Sequence, residues 1–332
     1  FRSVANNKNF ANFQFGRISG QKFEDINGNG IKDVGDAGIP GWSIHLSGAT
    51  STSITTDTNG NYSFSNLGPG TYTVNEILQT DWTQTLPAGG TYIDSMHSGS
   101  NFSGQDFGNY KNGIISGTNW NDINGNGIKE NGEPNLQSWK IRISGALSES
   151  LFTDVNGNYT FTGLPVGNYT VSEELQSGWV QKFPSSPGTY SLTIQSRSNF
   201  SGKDFGNFQL GSIAGTVFDD FNGNGIKDAG EQGIIRTIRL NTNQAITNSN
   251  SNGQYTFSQL DIGTYSITAD VPNGWIQTLP TNNQSISISI TSGTNATNAN
   301  IGQFKLGSIA GDRKSTRLNS SHVSEFRMPS SA

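Results

Sequence analysis

The sequence predicts an all-β protein made of tandem β-sandwich domains arranged as beads on a rod. The opening segment Ile18-Ser-Gly20 recurs as Ile115-Ser-Gly117, Ile213-Ala-Gly215 and Ile309-Ala-Gly311, at offsets of 97, 98 and 96 residues. Apolar and polar residues alternate in short runs such as Trp42-Ser-Ile44-His-Leu46, which is the pattern of half-buried strands. No sustained i, i+3, i+4, i+7 stripe predicts a helix. About seven short strands in each repeat of about a hundred residues are typical of a β-sandwich.

Each repeat is predicted to be a separate domain, because about a hundred residues can bury a core of their own. The junctions are short and lack the long Gly/Ser tract of a flexible linker, so a fairly stiff rod is expected. The last twenty residues match nothing else in the chain and are expected to be a non-native tail. The predicted divisions are the end of a preceding repeat (1–16), repeat 1 (17–112), repeat 2 (113–210), repeat 3 (211–306), the start of a fourth repeat (307–312) and the tail (313–332).

Composition argues against several classes of function. The 332 residues include no cysteine, so no disulfide can form. Only 14% of the residues are charged and the net charge is -5, which argues against a nucleic-acid partner. No apolar stretch is long enough to predict membrane insertion in this segment, and no signal peptide opens the chain. His45, His97 and His322 occupy unrelated positions, so no catalytic triad or zinc site is predicted and the protein is not expected to be an enzyme.

A short turn motif recurs as Asp57-Thr-Asn59-Gly60-Asn61 and as its counterparts beginning at Asp154 and Asn250. Asn-Gly between two alternating runs predicts a β-hairpin with a type I′ turn, which needs positive φ at both central residues. The acid is replaced by Asn250 in repeat 3, so an Asx-stabilised hairpin is favoured over a second metal site.

The motif that carries chemistry is a twelve-residue loop present once in each repeat. Oxygen-bearing side chains occupy loop positions 1, 3, 5, 9 and 12, and glycine occupies position 6. This is the ligand spacing of an EF-hand-type calcium loop, in which the backbone carbonyl of position 7 supplies a further oxygen. About one Ca²⁺ per repeat is therefore predicted. The candidate metal ligands are Asp25, Asn27, Asn29, Ile31, Asp33 and Asp36 in repeat 1, Asp122, Asn124, Asn126, Ile128, Glu130 and Glu133 in repeat 2, and Asp220, Asn222, Asn224, Ile226, Asp228 and Glu231 in repeat 3.

The flanks of the loop differ from those of an EF-hand. A strand-like segment precedes the first loop, and Gly38, Pro40 and Gly41 follow it, so the loop joins strands and a constitutive structural site is expected. Position 12 of repeat 1 is Asp36, whose shorter side chain predicts the weakest of the three sites. If the first strand runs away from the N-terminal end of the repeat, the loop lies near the next junction, where calcium would stiffen the rod. A turn that binds no metal is the alternative, and manganese or magnesium are alternative occupants.

Together, the motifs D-x-N-x-N-G-x-x-[DE]-x-x-[DE], D-x-N-G-x-Y-x-F-x-x-L, P-G-x-Y-x-V and the closing D-F-G-N strand resemble those of SD-repeat B domains in the collagen-adhesin B-type (Cna-B, prealbumin-like) group. The resemblance covers about residues 17–306. It implies seven-stranded transthyretin-like (Cna-B/Ig-like) sandwiches that form a calcium-stabilised stalk or spacer of a secreted or wall-anchored, adhesin-like bacterial surface protein. The expected location is extracellular. The expected partners are calcium, the neighbouring repeats, and a host or matrix protein or glycan bound through domains outside this segment.

The resemblance also suggests a covalent feature. Some members of the wider group form a Lys–Asn isopeptide bond assisted by an acid, and Lys22, Glu76 and Asn109 are the candidate set in repeat 1. The first-strand positions aligned with Lys22 are Asn119 and Val217, so the other repeats lack the amine.

Three tryptophans leave a different class of function open. Trp82, Trp179 and Trp275 stand at one fixed place in each repeat. As sugar-stacking platforms they would make the chain a carbohydrate- or protein-binding β-sandwich module attached to a secreted enzyme or adhesin. A fixed place in every repeat is more typical of core packing.

Overall fold

The computed structural model describes residues 9–241 and 244–311. The predicted tail, Asp312 and the first eight residues of the predicted preceding repeat lie outside the described residues. The described chain is all-β apart from one 3₁₀ turn, Thr281–Asn283, and none of its helical residues forms a segment long and apolar enough to cross a membrane.

Each repeat contributes nine strands in the same order. Repeat 1 contains β1 (Gly16–Glu24), β2 (Ser43–Gly48), β3 (Thr52–Thr55), β4 (Asn61–Leu67), β5 (Gly70–Glu76), β6 (Trp82–Leu86), β7 (Thr91–Met96), β8 (Asn101–Phe102) and β9 (Phe107–Lys111). Repeat 2 contains β10 (Gly113–Asn121), β11 (Lys140–Gly145), β12 (Glu149–Phe152), β13 (Asn158–Leu164), β14 (Gly167–Glu173), β15 (Trp179–Phe183), β16 (Tyr190–Ile194), β17 (Asn199–Phe200) and β18 (Phe205–Gln209). Repeat 3 contains β19 (Gly211–Asp219), β20 (Thr237–Leu240), β21 (Ala245–Asn248), β22 (Gln254–Leu260), β23 (Gly263–Ala269), β24 (Trp275–Leu279), β25 (Ile286–Ile290), β26 (Asn295–Ala296) and β27 (Ile301–Lys305).

Two sheets form each repeat. In repeat 1 one sheet has the order β4-β1-β9-β6, with β8 also pairing with β1, and the other has the order β3-β2-β5-β7. The first strand pairs antiparallel with β4 and parallel with the closing strand β9. The equivalent strands have the same order in repeats 2 and 3. The closing strand therefore lies beside the first strand, and the loop that follows the first strand starts where these two strands end.

Apolar residues from both sheets fill each sandwich. In repeat 1 the core includes Ile18 and Phe107 from one sheet and Ile44, Leu46 and Val74 from the other, all 0% exposed. A corresponding cluster fills repeat 2. The predicted tandem sandwiches are confirmed. The strand count is nine rather than seven, because the four-residue β3 and the two-residue β8 add short edge pairings to the seven longer strands.

The predicted Asp57–Asn61 hairpin is wrong. The strands on either side of this turn, β3 and β4, belong to opposite sheets, so the turn carries the chain from one layer to the other. The type I′ assignment is also wrong, because Gly60 has φ +78° whereas Asn59 keeps a negative φ. The side chain of Asp57 accepts the N–H groups of Asn59 and Asn61, both at 2.8 Å, as an Asx-type turn requires.

The described residues form two compact units. The first contains repeats 1 and 2 as far as Ser212, together with the segments 258–264 and 289–295 of repeat 3. The second contains the remaining described residues of repeat 3, among which Ile213, Val217, Phe218, Ile238, Ile267 and Ile301 are buried.

Candidate metal loops and repeat junctions

The closing strand fixes the start of each candidate metal loop. The N–H of Asp25 donates to the carbonyl of Asn109 at 2.8 Å, and Asp122 donates to Asn207 in the same way at 2.8 Å. In repeat 3 the same bond, from position 1 of the loop to Gln303, measures 2.9 Å. Position 1 is therefore held by the sheet itself, and the remainder of the loop projects from the end of the sandwich.

Position 1 of the loop is a buried carboxylate that organises the turn. Asp25 is 0% exposed, its Oδ1 accepts the N–H groups of Gly28 (2.7 Å) and Asn29 (3.1 Å), and its Oδ2 accepts that of Gly30 (2.7 Å). Gly30 stands at φ +74°, which a residue with a Cβ adopts only at a cost, so position 6 requires glycine. Closely similar bonds surround position 1 in repeats 2 and 3.

Positions 3, 5 and 9 converge on one another. In repeat 1 the amide nitrogens of Asn27 and Asn29 both donate to Asp33 Oδ2, at 2.9 and 2.8 Å. Their Oδ1 atoms accept the N–H groups of Asn29 and Ile31, at 3.0 and 2.7 Å. The corresponding amide–carboxylate distances are 2.7 and 2.8 Å in repeat 3, and in repeat 2 both amides reach the carboxylate of Glu130.

Position 12 closes the loop onto its own backbone. Asp36 accepts the N–H groups of Ile26 (3.1 Å) and Asp33 (3.0 Å), and Glu133 makes the equivalent two bonds in repeat 2 at 2.8 and 3.1 Å. The shorter Asp36 therefore reaches the same backbone groups as the glutamate. In repeat 3, Glu231 is 4% exposed, and its Oε1 has no hydrogen-bond partner among the described residues.

The residues fit a hard cation in chemistry, because all five side chains of each loop offer carboxylate or amide oxygens. In repeat 3, burial raises the pKa of Asp220, but the nearby Thr278 hydroxyl and the hydrogen bonds from the loop N–H groups outweigh it and hold the pKa below its usual range. No three His, Cys, Asp or Glu side chains in the described part of the chain converge as a metal cluster. The reason is visible in the loops: the carboxylates of positions 1 and 12 face backbone N–H groups, and amide nitrogens face position 9. Rotating the side-chain amides of positions 3 and 5 would turn their oxygens, rather than their nitrogens, toward the carboxylate of position 9.

The first loop also forms the junction between repeats 1 and 2. The carbonyl of Ile26, at loop position 2, accepts the N–H of Ser196 at 2.9 Å. The Ser196 hydroxyl accepts the N–H of Lys111, the last residue of β9, at 2.9 Å and donates to Glu24. Arg197 N–H reaches the carbonyl of Lys111 at 3.0 Å, and its guanidinium binds both oxygens of Glu24 at 2.8 and 2.9 Å.

The same serine turn recurs at the other junctions. Ser292 donates its N–H to the carbonyl of Ile123 at 3.0 Å, accepts the N–H of Gln209 at 2.7 Å, and donates its hydroxyl to Asn121. In repeat 1, Ser98 accepts the N–H of Gln14 at 2.9 Å. Sequence reasoning missed these serines. Their regular spacing was a usable signal, but a lone serine is inconspicuous in a serine-rich chain.

Lys22, Glu76 and Asn109 are all buried in repeat 1, and Lys22 contacts Glu76. Lys22 and Asn109 are 0% exposed, and Lys22 Nζ lies 2.9 Å from Glu76 Oε2 and 4.5 Å from the centre of the Trp42 ring. Burial lowers the pKa of Lys22 to about 8, against the opposing effect of Glu76. Neither amide atom of Asn109 has a hydrogen-bond partner among the described residues.

The equivalent positions of the other repeats carry different chemistry. In repeat 2, the amides of Asn119 and Asn207 donate to Glu173 Oε2 at 2.6 and 2.8 Å, and Asn207 Nδ2 also reaches Asn119 Oδ1 at 3.0 Å. These distances show that the three positions share one pocket. In repeat 3 the first two positions are apolar, and Gln303 Oε1 accepts the Nε–H of Arg236 at 2.6 Å.

The repeated tryptophans are half-buried. Trp82 packs edge-on against Trp42 at 5.2 Å, and the guanidinium carbon of Arg197 lies 4.9 Å from the Trp82 ring centre. Arg236 lies 4.6 Å from the centre of the Trp275 ring. These contacts favour packing over sugar stacking, because side chains of the protein already contact the rings.

Fold and loops together define a class: tandem B-type β-sandwich repeats, each with one EF-hand-like loop between its first two strands. The family model of the SdrD B-like domain matches residues 17–109, 113–201 and 211–317. The chain belongs to this family, and the resemblance inferred from the motifs is confirmed.

Known relatives contain similar repeats within longer proteins. The chain is 27% identical over 305 residues to serine-aspartate repeat-containing protein F of Staphylococcus epidermidis (strain ATCC 12228 / FDA PCI 1200), covering 80% of this chain and 19% of that protein. It is 28% identical over 288 residues to serine-aspartate repeat-containing protein D of Staphylococcus aureus (strain Newman), covering 77% and 22%. The chain thus spans about a fifth of the length of these curated relatives. Among solved structures, the Bacillus anthracis TIE protein aligns over 88% of this chain and 51% of its own at 17% identity, with a TM-score of 0.39.

Proposed function

We propose that this chain is a calcium-stabilised stalk segment of an extracellular bacterial surface protein, with a mechanical and spacing role rather than a catalytic one. The observation that carries the proposal is the loop. Three copies of one oxygen-rich loop leave the first strand at the same end of each sandwich, and each holds its position-1 carboxylate 0% exposed. Buried carboxylates are costly unless they are paired, hydrogen-bonded or bound to a metal.

Calcium at these loops would act as a folding ligand. A cation near positions 3, 5 and 9 would replace amide nitrogens as the partner of the position-9 carboxylate. With dissociation constants in the range of extracellular calcium modules, about 10⁻⁴–10⁻³ M, millimolar calcium would stabilise each loop by roughly 0.5–1.5 kcal/mol. For three domains without disulfides this is a substantial share of the stability.

The junction bond gives calcium a second role. The carbonyl of Ile26 that receives the Ser196 N–H belongs to the residue between the ligands Asp25 and Asn27. Ile123 holds the same place for Ser292. If calcium orders the loop, it also orders the carbonyl at loop position 2, which accepts the N–H of the serine in the next repeat. Calcium removal is expected to loosen the connection between repeats as well as the loops.

We infer the location and the partners of the chain from its family. Both relatives cited above are serine-aspartate repeat-containing proteins of staphylococci. We place the chain outside the cell, in a surface-attached or secreted protein. Adhesion to a host or matrix protein or to a glycan is assigned to regions beyond these repeats.

Isothermal titration of the metal-free chain with calcium tests the proposal. About three bound ions per chain are expected, and about two for each of the variants Asp25→Ala, Asp122→Ala and Asp220→Ala. Asp57→Ala, in the second Asx turn, is the matched control and should keep three. Titration with magnesium and manganese identifies the preferred ion. Absence of calcium binding would contradict the proposal.

The buried trio of repeat 1 supports a second proposal, that Lys22 and Asn109 become cross-linked. The neutral Lys22 amine would attack the Asn109 carboxamide carbon, Glu76 would relay the proton, and the new amide bond would form as ammonia leaves. The lowered pKa of Lys22 and the unpaired Asn109 amide both favour this step.

The intact mass of the purified chain tests the cross-link. A mass lower than the sequence mass by one ammonia is expected, restored to the sequence mass in Glu76→Ala once the substitution itself is counted. Asp94→Ala, a buried acid of the same repeat, is the control and should leave the ammonia loss intact. A full sequence mass for the unaltered chain would overturn the proposal.

A further inference from the structure

The two junctions within the first compact unit differ at one pair of positions. At the first, Glu24 ends strand β1 and faces Arg197, which follows the junction serine. At the second, Asn121 ends β10 and Gly293 follows the junction serine. The serine hydroxyl bonds to the strand-end residue in both cases. An acid is thus matched by a cation, and a neutral amide by a residue without a side chain.

Arg197 stands in a conformation that favours glycine. Its φ is +64°, whereas the equivalent Gly99 and Gly293 have φ +73° and +72°. A residue with a Cβ is disfavoured there. Its Nε–H is shared between the two carboxylate oxygens of Glu24, and its guanidinium lies over the Trp82 ring. The side-chain contact accounts for an arginine at a position where glycine would otherwise serve.

The distal end of repeat 3 carries the strand-end half of this pair. Asp219 ends β19 at the place of Glu24, and Trp275 stands at the place of Trp82. Within the described part of repeat 3, Asp219 forms no ion pair at 4.0 Å or less. Burial lowers the pKa of Arg236, and the charge of Asp219 raises it by a smaller amount. Arg236 occupies the sequence position of Trp42, so it packs beside Trp275 from within its own repeat.

Apolar positions that are buried at the junction ends of repeats 1 and 2 are more exposed at the end of repeat 3 that carries Asp219. Tyr110 and Phe208, at the end of the closing strands of repeats 1 and 2, are 7% and 0% exposed, whereas the equivalent Phe304 is half-buried. At loop position 2, Phe221 is 61% exposed, against 36% for Ile123. The ends of repeats 1 and 2 are covered by the serine turn of the following repeat, whereas the described residues include no repeat after repeat 3, which leaves Phe304 and Phe221 uncovered there.

We propose that the strand-end residue and the residue after the junction serine form a matching pair that stabilises the junction between successive repeats, and that the exposed end of repeat 3 fits a B-type repeat whose serine is followed by arginine or lysine. This inference rests on the proposed stalk function only in assuming that the repeats are connected end to end. The occupant is a repeat joined in cis at Gly307. The segment Gly307-Ser-Ile-Ala-Gly311 is identical to Gly211-Ser-Ile-Ala-Gly215, which opens repeat 3. Covalent linkage supplies the effective concentration that so few contacts need.

Exchange of the pair within the existing chain is the first test. Glu24→Asn and Arg197→Ala should each loosen the first junction, and the double variant should be no looser than either single variant, because alanine removes the guanidinium and keeps a Cβ at φ +64°. Asn121→Glu with Gly293→Arg should install a pair at the second junction. Hydrogen exchange at the junction serine turns reports the result, and an ion pair of this kind changes exchange by about fivefold at most. Fully additive effects of the Glu24 and Arg197 changes would overturn the pairing.

A chain extended at repeat 3 is the second test. Residues 113–210, whose serine turn is Ser196-Arg197, are joined after Leu306, and exchange is followed at Phe304–Leu306 and in the added turn. Slow exchange is expected. It should quicken by about fivefold on Asp219→Asn, and Asp219→Asn should have no effect when the added turn carries glycine in place of arginine. Unchanged exchange on adding the repeat would overturn the proposal. Measurements with calcium and with chelator separate this outcome from a failure of calcium binding, because the pair contains no predicted metal ligand.

Discussion

Glu173 in repeat 2 is a buried carboxylate without a cation, and it makes repeat 2 sensitive to pH. In repeat 1 the equivalent Glu76 faces Lys22 at 2.9 Å, whereas Glu173 receives only the amides of Asn119 and Asn207. Burial raises the pKa of Glu173 to about 7, and the two amide hydrogen bonds lower it by less than burial raises it. The folded repeat therefore binds a proton more tightly than the unfolded chain does.

The sign and size of the effect follow from this difference. The folded-state pKa lies above the ordinary value of 4.5, so the ionisation of Glu173 leaves the free energy of unfolding unchanged below about pH 4.5. Above about pH 7 it lowers that free energy by its full amount. The span between the two values corresponds to about 3 kcal/mol. Glu173→Gln removes the ionisation. It is expected to stabilise repeat 2 by up to about 3 kcal/mol near pH 8 and by little near pH 5.

Protection of a single engineered thiol measures this effect in repeat 2 alone. The chain has no cysteine, so Val171→Cys, at a residue that is 0% exposed, labels only when repeat 2 opens. Pulse labelling across a urea series gives the free energy of opening near pH 5 and near pH 8, with and without Glu173→Gln. Glu174→Gln is the control, since Glu174 is exposed and paired with Arg142. A Glu173→Gln effect that is equal at the two pH values, or destabilising at both, would refute the reasoning.

Three further substitutions have defined outcomes, the first two in the same kind of labelling assay with the thiol placed in repeat 1 by Val74→Cys, at a residue that is 0% exposed, and the third by hydrogen exchange. Gly60→Ala should destabilise repeat 1 by about 2 kcal/mol or more, because the new Cβ would lie 2.2 Å from the carbonyl oxygen of Lys22 at φ +78°, whereas Gly68→Ala meets nothing within 4 Å and should change stability little. If Lys22 is not cross-linked, Lys22→Met should cost about 3–5 kcal/mol by leaving Glu76 unpaired, and adding Glu76→Gln should restore much of it; equal losses in both would contradict the ion-pair account. Ser196→Ala should loosen the first junction by about 1 kcal/mol, seen as faster hydrogen exchange at Lys111, and unchanged exchange there would argue against the serine turn.

Much of the fold could be predicted from the sequence, because its signals are local and repeated. Alternation in runs such as Trp42–Leu46 reports burial on one face of a strand, and the three-fold repetition identifies the domains. The Asp57–Asn61 turn shows where local signals fail. Asn-Gly indicates a reversal of the chain, but whether the next strand joins the same sheet depends on β4 pairing with β1, a contact about forty residues away in the chain.

The candidate site was predicted in composition but not in arrangement. The spacing singled out loop positions 1, 3, 5, 9 and 12 as side-chain ligand candidates, whereas the direction of the Asn27 and Asn29 amides depends on which backbone N–H groups compete for their oxygens. The junction serines were missed because their role arises only when two domains meet. The shared pocket of Lys22, Glu76 and Asn109 was anticipated from family resemblance alone, since the three residues come from three separate strands.

Metal binding at the three loops is proposed to stabilise the repeats, and thermal melting with and without calcium measures that stabilisation. The chain is melted in millimolar calcium and again in excess EGTA, alongside the triple variant Asp25→Ala, Asp122→Ala and Asp220→Ala. We expect a melting temperature higher by several degrees in calcium for the unaltered chain, with no calcium-dependent difference in the triple variant. Identical melts of the unaltered chain in calcium and in EGTA would contradict it and leave the loops as hydrogen-bonded turns.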